Sequence, residues 1–88
     1  MLVKLIEVTR DIGGTNRLKE VYVNSSHIIS VSDDNSVPPL IKENLGLSEA
    51  VHFSVVVVSE GNKARNLTVI GSPFEINNKI KKRQVLRG

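Results

Sequence analysis

Eighty-eight residues supply one hydrophobic core and no second one, and a domain this small buries only about 60% of the surface that its unfolded chain exposes. The lack of cysteine excludes a disulfide framework and a cysteine-based metal site. The net charge of +3 is unevenly placed: residues 1–78 carry seven basic and nine acidic side chains, whereas the last ten residues carry five basic side chains and no acid.

Three strands are predicted in the N-terminal third of the chain. Residues 2–10 are rich in aliphatic and β-branched side chains, which favour a strand, and Gly13-Gly14 predicts the turn that follows. The strand pattern resumes over residues 19–23. Asn24-Ser25-Ser26 then predicts a bend, because these side chains hydrogen-bond to nearby backbone groups, and residues 27–32 alternate as a third strand.

The middle of the chain predicts a short helix followed by a hairpin. Val37-Pro38-Pro39 requires an extended backbone, and residues 40–45 predict a short helix that stops at Gly46. Residues 51–59 give the clearest strand pattern of the chain. The turn residues behind it and a return strand over residues 66–70 predict a β-hairpin.

The sequence Ser72-Pro73-Phe74-Glu75 predicts the start of a C-terminal helix over residues 73–83. An N-cap serine, a proline at the first helical position and a glutamate at the third make a capping box. The amphipathic pattern predicts that Phe74 or Ile76, together with Ile80, packs this helix on the sheet.

These elements together predict an α+β fold. We expect a strongly bent antiparallel sheet of about five strands, with the C-terminal helix packed on it and a short helix near residues 40–45. Residues 1–83 are assigned to this single domain and residues 84–88 to a basic C-terminal tail.

Motifs for catalysis, metals and cofactors are weak in this sequence. His27 and His52 have no metal-type spacing. The acidic stretch that begins at Asp33 fails as a calcium loop, because Pro38 and Asn44 occupy the positions that require glycine and glutamate. The glycines near residue 14 lack the Gly-Lys-Ser/Thr of a phosphate loop. We therefore predict a protein that is not an enzyme and has no catalytic, metal or cofactor site.

The basic C-terminal segment is the clearest polar signal. Its five cations are expected either to contact phosphates or an acidic partner, or to form the solvated end of a helix. Three aromatic residues in the whole chain are too few for a platform that stacks bases, and no helix-turn-helix pattern is visible. The candidate contacts are Lys79, Lys81, Lys82, Arg83 and Arg87.

A run of four valines, residues 55–58, places apolar side chains on both faces of one strand. The run is either an ordinary core strand whose second face the predicted helix near residues 40–45 covers, or a strand that a second chain covers. On the second hypothesis Val56 and Val58 are the candidate interface residues, and the protein forms a homodimer.

Three stretches show a resemblance to the FlbD family of small flagellar proteins and to short phage proteins of similar build. They are Val3-Lys4-Leu5-Ile6, the stretch from Val23 to Ile28, and the stretch from Val69 to Ile76. The chain departs from the family pattern at residues 35–50, which resemble an insertion, and at Ser25, where a proline is expected. The resemblance implies a compact, phage-encoded module that acts by contact and has no catalytic residues.

Taken together, the sequence predicts a protein-binding accessory or regulatory module that associates with itself. The alternative is a small nucleic-acid-binding protein that uses the basic C-terminal helix and tail. Glu7 interrupts the apolar N-terminal run before a signal sequence is complete, so we expect a cytoplasmic protein with no membrane partner.

Overall fold

The computed structural model describes the backbone of residues 1–85 and the side chains of residues 1–81. This part of the chain folds into five strands and two α-helices, which confirms the predicted α+β class. The strands are β1 (Leu2–Arg10), β2 (Asn16–Asn24), β3 (Ile28–Asp33), β4 (Phe53–Glu60) and β5 (Lys63–Ile70). The helices are α1 (Pro39–Asn44) and α2 (Pro73–Val85), and a single 3₁₀ turn, Ser25–His27, joins β2 to β3.

The five strands form one antiparallel sheet in the order β2-β1-β5-β4-β3. The two edge strands, β2 and β3, are nevertheless joined by three residues. Four backbone steps, from Asn24 to Ile28, reach at most about 14 Å. In a flat sheet the first and fifth strands would lie about 19 Å apart. The sheet therefore has to curl, and the strong bend predicted from the sequence is confirmed.

The hydrophobic core lies on the inner face of this curl. Opposed residues across the strands share a face, so Val56 meets Leu67 in the middle of the β4–β5 pair. Helix α2 closes the core: Ile76 is buried and Ile80 packs against the cluster. The buried core residues are Val3, Leu5, Val56, Val58, Leu67, Val69 and Ile76.

The predicted capping box of α2 is present. The backbone N–H of Glu75 donates to Ser72 Oγ at 3.2 Å, and the backbone N–H of Ser72 donates to Glu75 Oε1 at 3.2 Å. This start fixes which side of the helix meets the sheet. Ile76 points inward, whereas Phe74 remains 74% exposed, so of the two alternatives it is Ile76 that packs with Ile80.

Helix α1 belongs to a segment that covers part of the outer face of the sheet. It follows Pro38, and the chain leaves it through Gly46 with a positive φ of 71°, as the sequence predicts. The ammonium group of Lys42 lies 5.6 Å from the centre of the Phe53 ring. Phe53 is buried although it is not part of the main core cluster.

Some boundaries differ from the predicted ones. Strand β2 begins at Asn16, because its pairing with β1 continues as far as Arg10. His27 lies in the 3₁₀ turn and not in β3, because Asn24 Oδ1 accepts a hydrogen bond from the backbone N–H of Ser26 at 3.0 Å and turns the chain out of the sheet.

Candidate interaction surfaces

The two histidines belong to no metal-type cluster in the part of the chain that the structure describes. His27 and His52 are both exposed, at the 3₁₀ turn and just before β4. Within residues 1–81, no three His, Asp or Glu side chains are grouped so as to hold a metal ion.

Val56 and Val58, the candidate interface pair, lie in the core of the single chain. Their exposed fractions are 0% and 5%. The reason is the position of β4, which is flanked by β5 and β3 and turns these two side chains to the inner face of the curled sheet. This corrects the expectation that they are available to a second chain; in this fold they are core residues.

The candidate basic contacts are only partly within the described residues. Lys79 and Lys81 are exposed on α2. Lys79 Nζ lies 3.5 Å from the backbone oxygen of Lys4, which places it against β1. The side chains of Lys82 and Arg83, and the whole of Arg87, lie outside the described part of the chain. The structure thus places two of the five cations on an exposed helix surface.

A groove lined by both apolar and polar side chains runs between β3 and α2, and we name it the β3–α2 groove. Its volume is about 500 Å³. Phe74 and Ile29 border it and are 74% and 61% exposed, so two large apolar side chains are exposed at the same groove. The other lining residues are Ser25, Ile28, Ser30, Val31, Pro73, Asn77 and Ile80.

Two pairs of apolar residues in the sequence indicate the exposed side chains of this groove. Ile28 and Ile29 are adjacent, so one of them has to point away from the core face. Phe74 precedes Ile76 by two residues, a spacing that puts the two side chains on different sides of a helix. Each pair therefore contains one apolar side chain that points away from the core, and in the structure these are Ile29 and Phe74.

A second opening lies beside β2, at the seam where the curled sheet does not close. It has a volume of about 380 Å³. Its apolar lining comes from both sides of the seam: Val21 and Val23 on β2, and Val58 and Leu67 on β4 and β5. We name this opening the β2 cleft.

A cluster of charges stands at the rim of the β2 cleft. Arg65 lies 3.4 Å from a carboxylate oxygen of Glu60 and 3.8 Å from one of Glu7. The Glu7 side chain is only 12% exposed, so its ion pair with Arg65 is partly sheltered from water. The cluster ties β1, β4 and β5 together at that end of the sheet.

Comparisons of the chain with protein-family models, with curated proteins and with solved structures give no match. Neither α1 nor the described length of α2 is long and apolar enough to cross a membrane. What can be said about function is carried by the surfaces described above.

Proposed function

We propose that this protein is a non-enzymatic protein-binding module, an accessory or regulatory component that docks a segment of another protein in the β3–α2 groove. The observation that carries the proposal is the pair Phe74 and Ile29. Two large, exposed apolar side chains border one groove, and in protein interfaces a few large side chains packed into pockets supply most of the binding energy.

The charge around the groove defines the chemistry of the partner. Lys81 follows Asn77, a groove residue, by one helical turn and therefore lies on the same side of α2. Exposed Lys79 adds a second cation on that helix. A segment that inserts one or two apolar side chains between Phe74 and Ile29, and that places Asp or Glu near Lys81, matches both features.

A peptide-display library of random 12-residue sequences tests this proposal. The library is selected on the wild-type chain, and the affinity of enriched peptides is then measured by calorimetry. We expect peptides with an apolar pair next to an acidic residue, and a loss of affinity of at least tenfold for Phe74→Ser. The matched control is Leu40→Ser, which removes a side chain of similar exposure, 64%, far from the groove in sequence and on α1.

The result that overturns the proposal is equally specific. If the enriched peptides bind Phe74→Ser as tightly as they bind the wild-type chain, the groove is not the docking site. If no peptide is enriched at all, the groove does not recognise an extended segment.

Nucleic-acid binding is the second candidate, because Lys79 and Lys81 are both exposed on one helix. Two phosphate contacts predict that the logarithm of the affinity falls with the logarithm of salt concentration with a slope of about −1.4 to −1.8. Titration of single-stranded and duplex DNA against the wild-type chain and against Lys79→Ser/Lys81→Ser distinguishes the candidates. A salt-dependent affinity lost in the double variant, with no peptide enriched, favours the nucleic-acid function.

Self-association remains part of the proposed function, although Val56 and Val58 do not provide its surface. The resemblance to small flagellar and phage proteins is in keeping with such a module and stays a prediction. Sedimentation of the wild-type chain over a range of concentrations measures whether a dimer forms.

A further inference from the structure

We propose that two copies of this chain associate by pairing their β2 strands edge to edge, antiparallel, about a two-fold axis that passes beside Glu20. This inference rests on the self-association included in the proposed function. It adds the surface, the register and the residues that meet.

Strand β2 presents an unprotected edge. It lies at one end of the sheet order and, among the described strands, pairs with β1 alone. Its nine residues keep one continuous register with β1, without a bulge or a proline. The other edge strand, β3, has a register shift between Ile28 and Ser30, a device that discourages pairing with other chains.

The pairing with β1 determines which backbone groups of β2 point outward. The N–H of Ser25 donates to the carbonyl of Met1 at 2.8 Å, so this pair, at the end of the ladder, is hydrogen-bonded. In an antiparallel ladder hydrogen-bonded pairs alternate with pairs that are not, so the odd-numbered residues of β2 bond to β1. The N–H and C=O groups of Leu18, Glu20 and Tyr22 therefore point to the outer edge.

The backbone of β1 agrees with this assignment. Lys4 lies opposite Tyr22 in the register. The carbonyl of Lys4 accepts a hydrogen bond from Nζ of Lys79 on α2, a partner outside the β1–β2 ladder. A carbonyl that points away from β2 belongs to a pair without hydrogen bonds, as the alternation requires.

The side chains select the register. Glu20 is the middle residue of β2, so an axis beside it pairs all nine residues with those of the second copy. Leu18 then lies directly opposite Tyr22 of the second copy. These two side chains are 41% and 62% exposed and share the outer face of the sheet, so pairing covers two apolar side chains on each strand. A shift by one register step places Leu18 or Tyr22 against a glutamate instead.

Glu20 weakens the pairing without preventing it. The two Glu20 carboxylates meet across the axis, and like charges in directly opposed positions are destabilising. Each carboxylate is held by Lys4 of its own chain at 3.4 Å, which offsets part of the repulsion. Replacing Glu20 with Gln is therefore expected to tighten the dimer by about two- to fivefold. A gain of affinity is not a result that damage to the fold produces.

Disulfide trapping tests the register directly, because the chain has no cysteine of its own. Leu18→Cys and Tyr22→Cys are made as two separate single variants and are oxidised alone and as an equal mixture. Opposed residues of a hydrogen-bonded pair lie about 5.5 Å apart between Cα atoms, within the range that a disulfide spans. In either variant alone the two cysteines lie about 14 Å apart, which a disulfide does not span.

We expect covalent dimers in the mixture and not in either variant alone. Dimers that form equally in the single variants mean that the register is wrong. A wild-type chain that sediments as a monomer up to about 1 mM, a weak-binding limit of about 4 kcal/mol, overturns the pairing itself. The peptide selection on the β3–α2 groove uses a different surface, so either proposal can fail while the other stands.

Discussion

The hydroxyl of Ser54 donates a hydrogen bond of 2.6 Å to the backbone carbonyl of Gly71, and both residues are buried. Ser54 stands near the start of β4, and Gly71 lies between β5 and α2. The N–H of Gly71 also donates to the carbonyl of His52 at 2.8 Å. The residue from which α2 departs is thus held on both its polar groups, and α2 in turn carries Phe74 to the groove.

Ser54→Ala is expected to lower the free energy of unfolding by about 1–3 kcal/mol, because it leaves the buried Gly71 carbonyl without its side-chain donor. Urea denaturation followed by circular dichroism measures the change. Ser32→Ala, an exposed serine on β3, is the control and is expected to change stability by no more than about 0.5 kcal/mol. Equal effects of the two substitutions would contradict the role assigned to Ser54.

Gly71→Ala is expected to destabilise the fold more than Gly61→Ala. Both glycines have positive φ values, 122° and 61°, so a Cβ atom is strained at each. At Gly71 the new Cβ would also lie 3.1 Å from Cδ1 of Ile76, whereas at Gly61 nothing lies within 4 Å. We expect a loss of about 1–2 kcal/mol for Gly61→Ala and a larger loss for Gly71→Ala, measured by thermal unfolding. The reverse order would show that Ile76 yields without cost.

Ser72→Ala is expected to cost about 1 kcal/mol, because it removes the side chain that accepts from the N–H of Glu75. Ser72→Asp supplies another accepting oxygen and is expected to restore most of the stability. Chemical denaturation of the three proteins measures the order. If Ser72→Asp is as unstable as Ser72→Ala, the hydrogen bond is not the reason for the loss.

How far the sequence alone leads is shown by the difference between α2 and β4. Local chemistry decides the start of α2, since Ser72, Pro73 and Glu75 need only one another, and the prediction from four residues is confirmed. For the valine run of β4, neighbouring residues do not determine which face is buried in the core. Both faces are apolar in the sequence, and the choice of inner face for Val56 depends on which distant strands flank β4 and how the sheet curls.

The β3–α2 groove and the outer edge of β2 could not be predicted from the sequence, because both depend on which distant segments meet in the fold. The β3–α2 groove forms because residues 28–31 and residues 73–80 meet across the fold. The outer edge of β2 follows from the strand order. Strand β1 pairs with β2 on one side and with β5 on the other, so β2 is an edge strand. Contacts between residues far apart in the sequence determine both surfaces, and the periodicity of hydrophobic residues along the chain does not predict such contacts.

Acid is expected to loosen the tip of the β1–β2 hairpin through Asp11. The N–H of Thr15 donates to the Asp11 carboxylate at 2.9 Å, and Arg17 lies 3.2 Å from it; these two contacts, in that order, hold the pKa of Asp11 below its ordinary value of 3.8. A lowered pKa in the folded chain means that the contribution is complete above pH 3.8 and is lost as the pH falls through the lower value.

The amide resonance of Thr15, followed by NMR between pH 7 and pH 2, measures this loss. We expect it to shift with a midpoint below 3.8 and to lose that transition in Asp11→Asn, whose amide oxygen still accepts the hydrogen bond but does not ionise. Asp34→Asn, in the loop that follows β3, is the control and is expected to leave the Thr15 transition unchanged. A midpoint above 3.8 would contradict the assignment.

Val56→Lys is expected to unfold the protein and not to dissociate a dimer. Val56 is fully buried, so a lysine there loses the packing of the valine and has to desolvate a charge, which costs more than about 3 kcal/mol. A chain of this length has about 4–13 kcal/mol of stability in total, so the loss is a large fraction of it. Val57→Lys, one residue along β4 and only half-buried on the opposite face, is expected to cost less.

Far-ultraviolet circular dichroism and sedimentation of both variants separate the two hypotheses. A folded, monomeric Val56→Lys chain would mean that Val56 serves an interface after all, whereas a Val56→Lys chain that loses its secondary structure beside a folded Val57→Lys chain shows that the side chain belongs to the core.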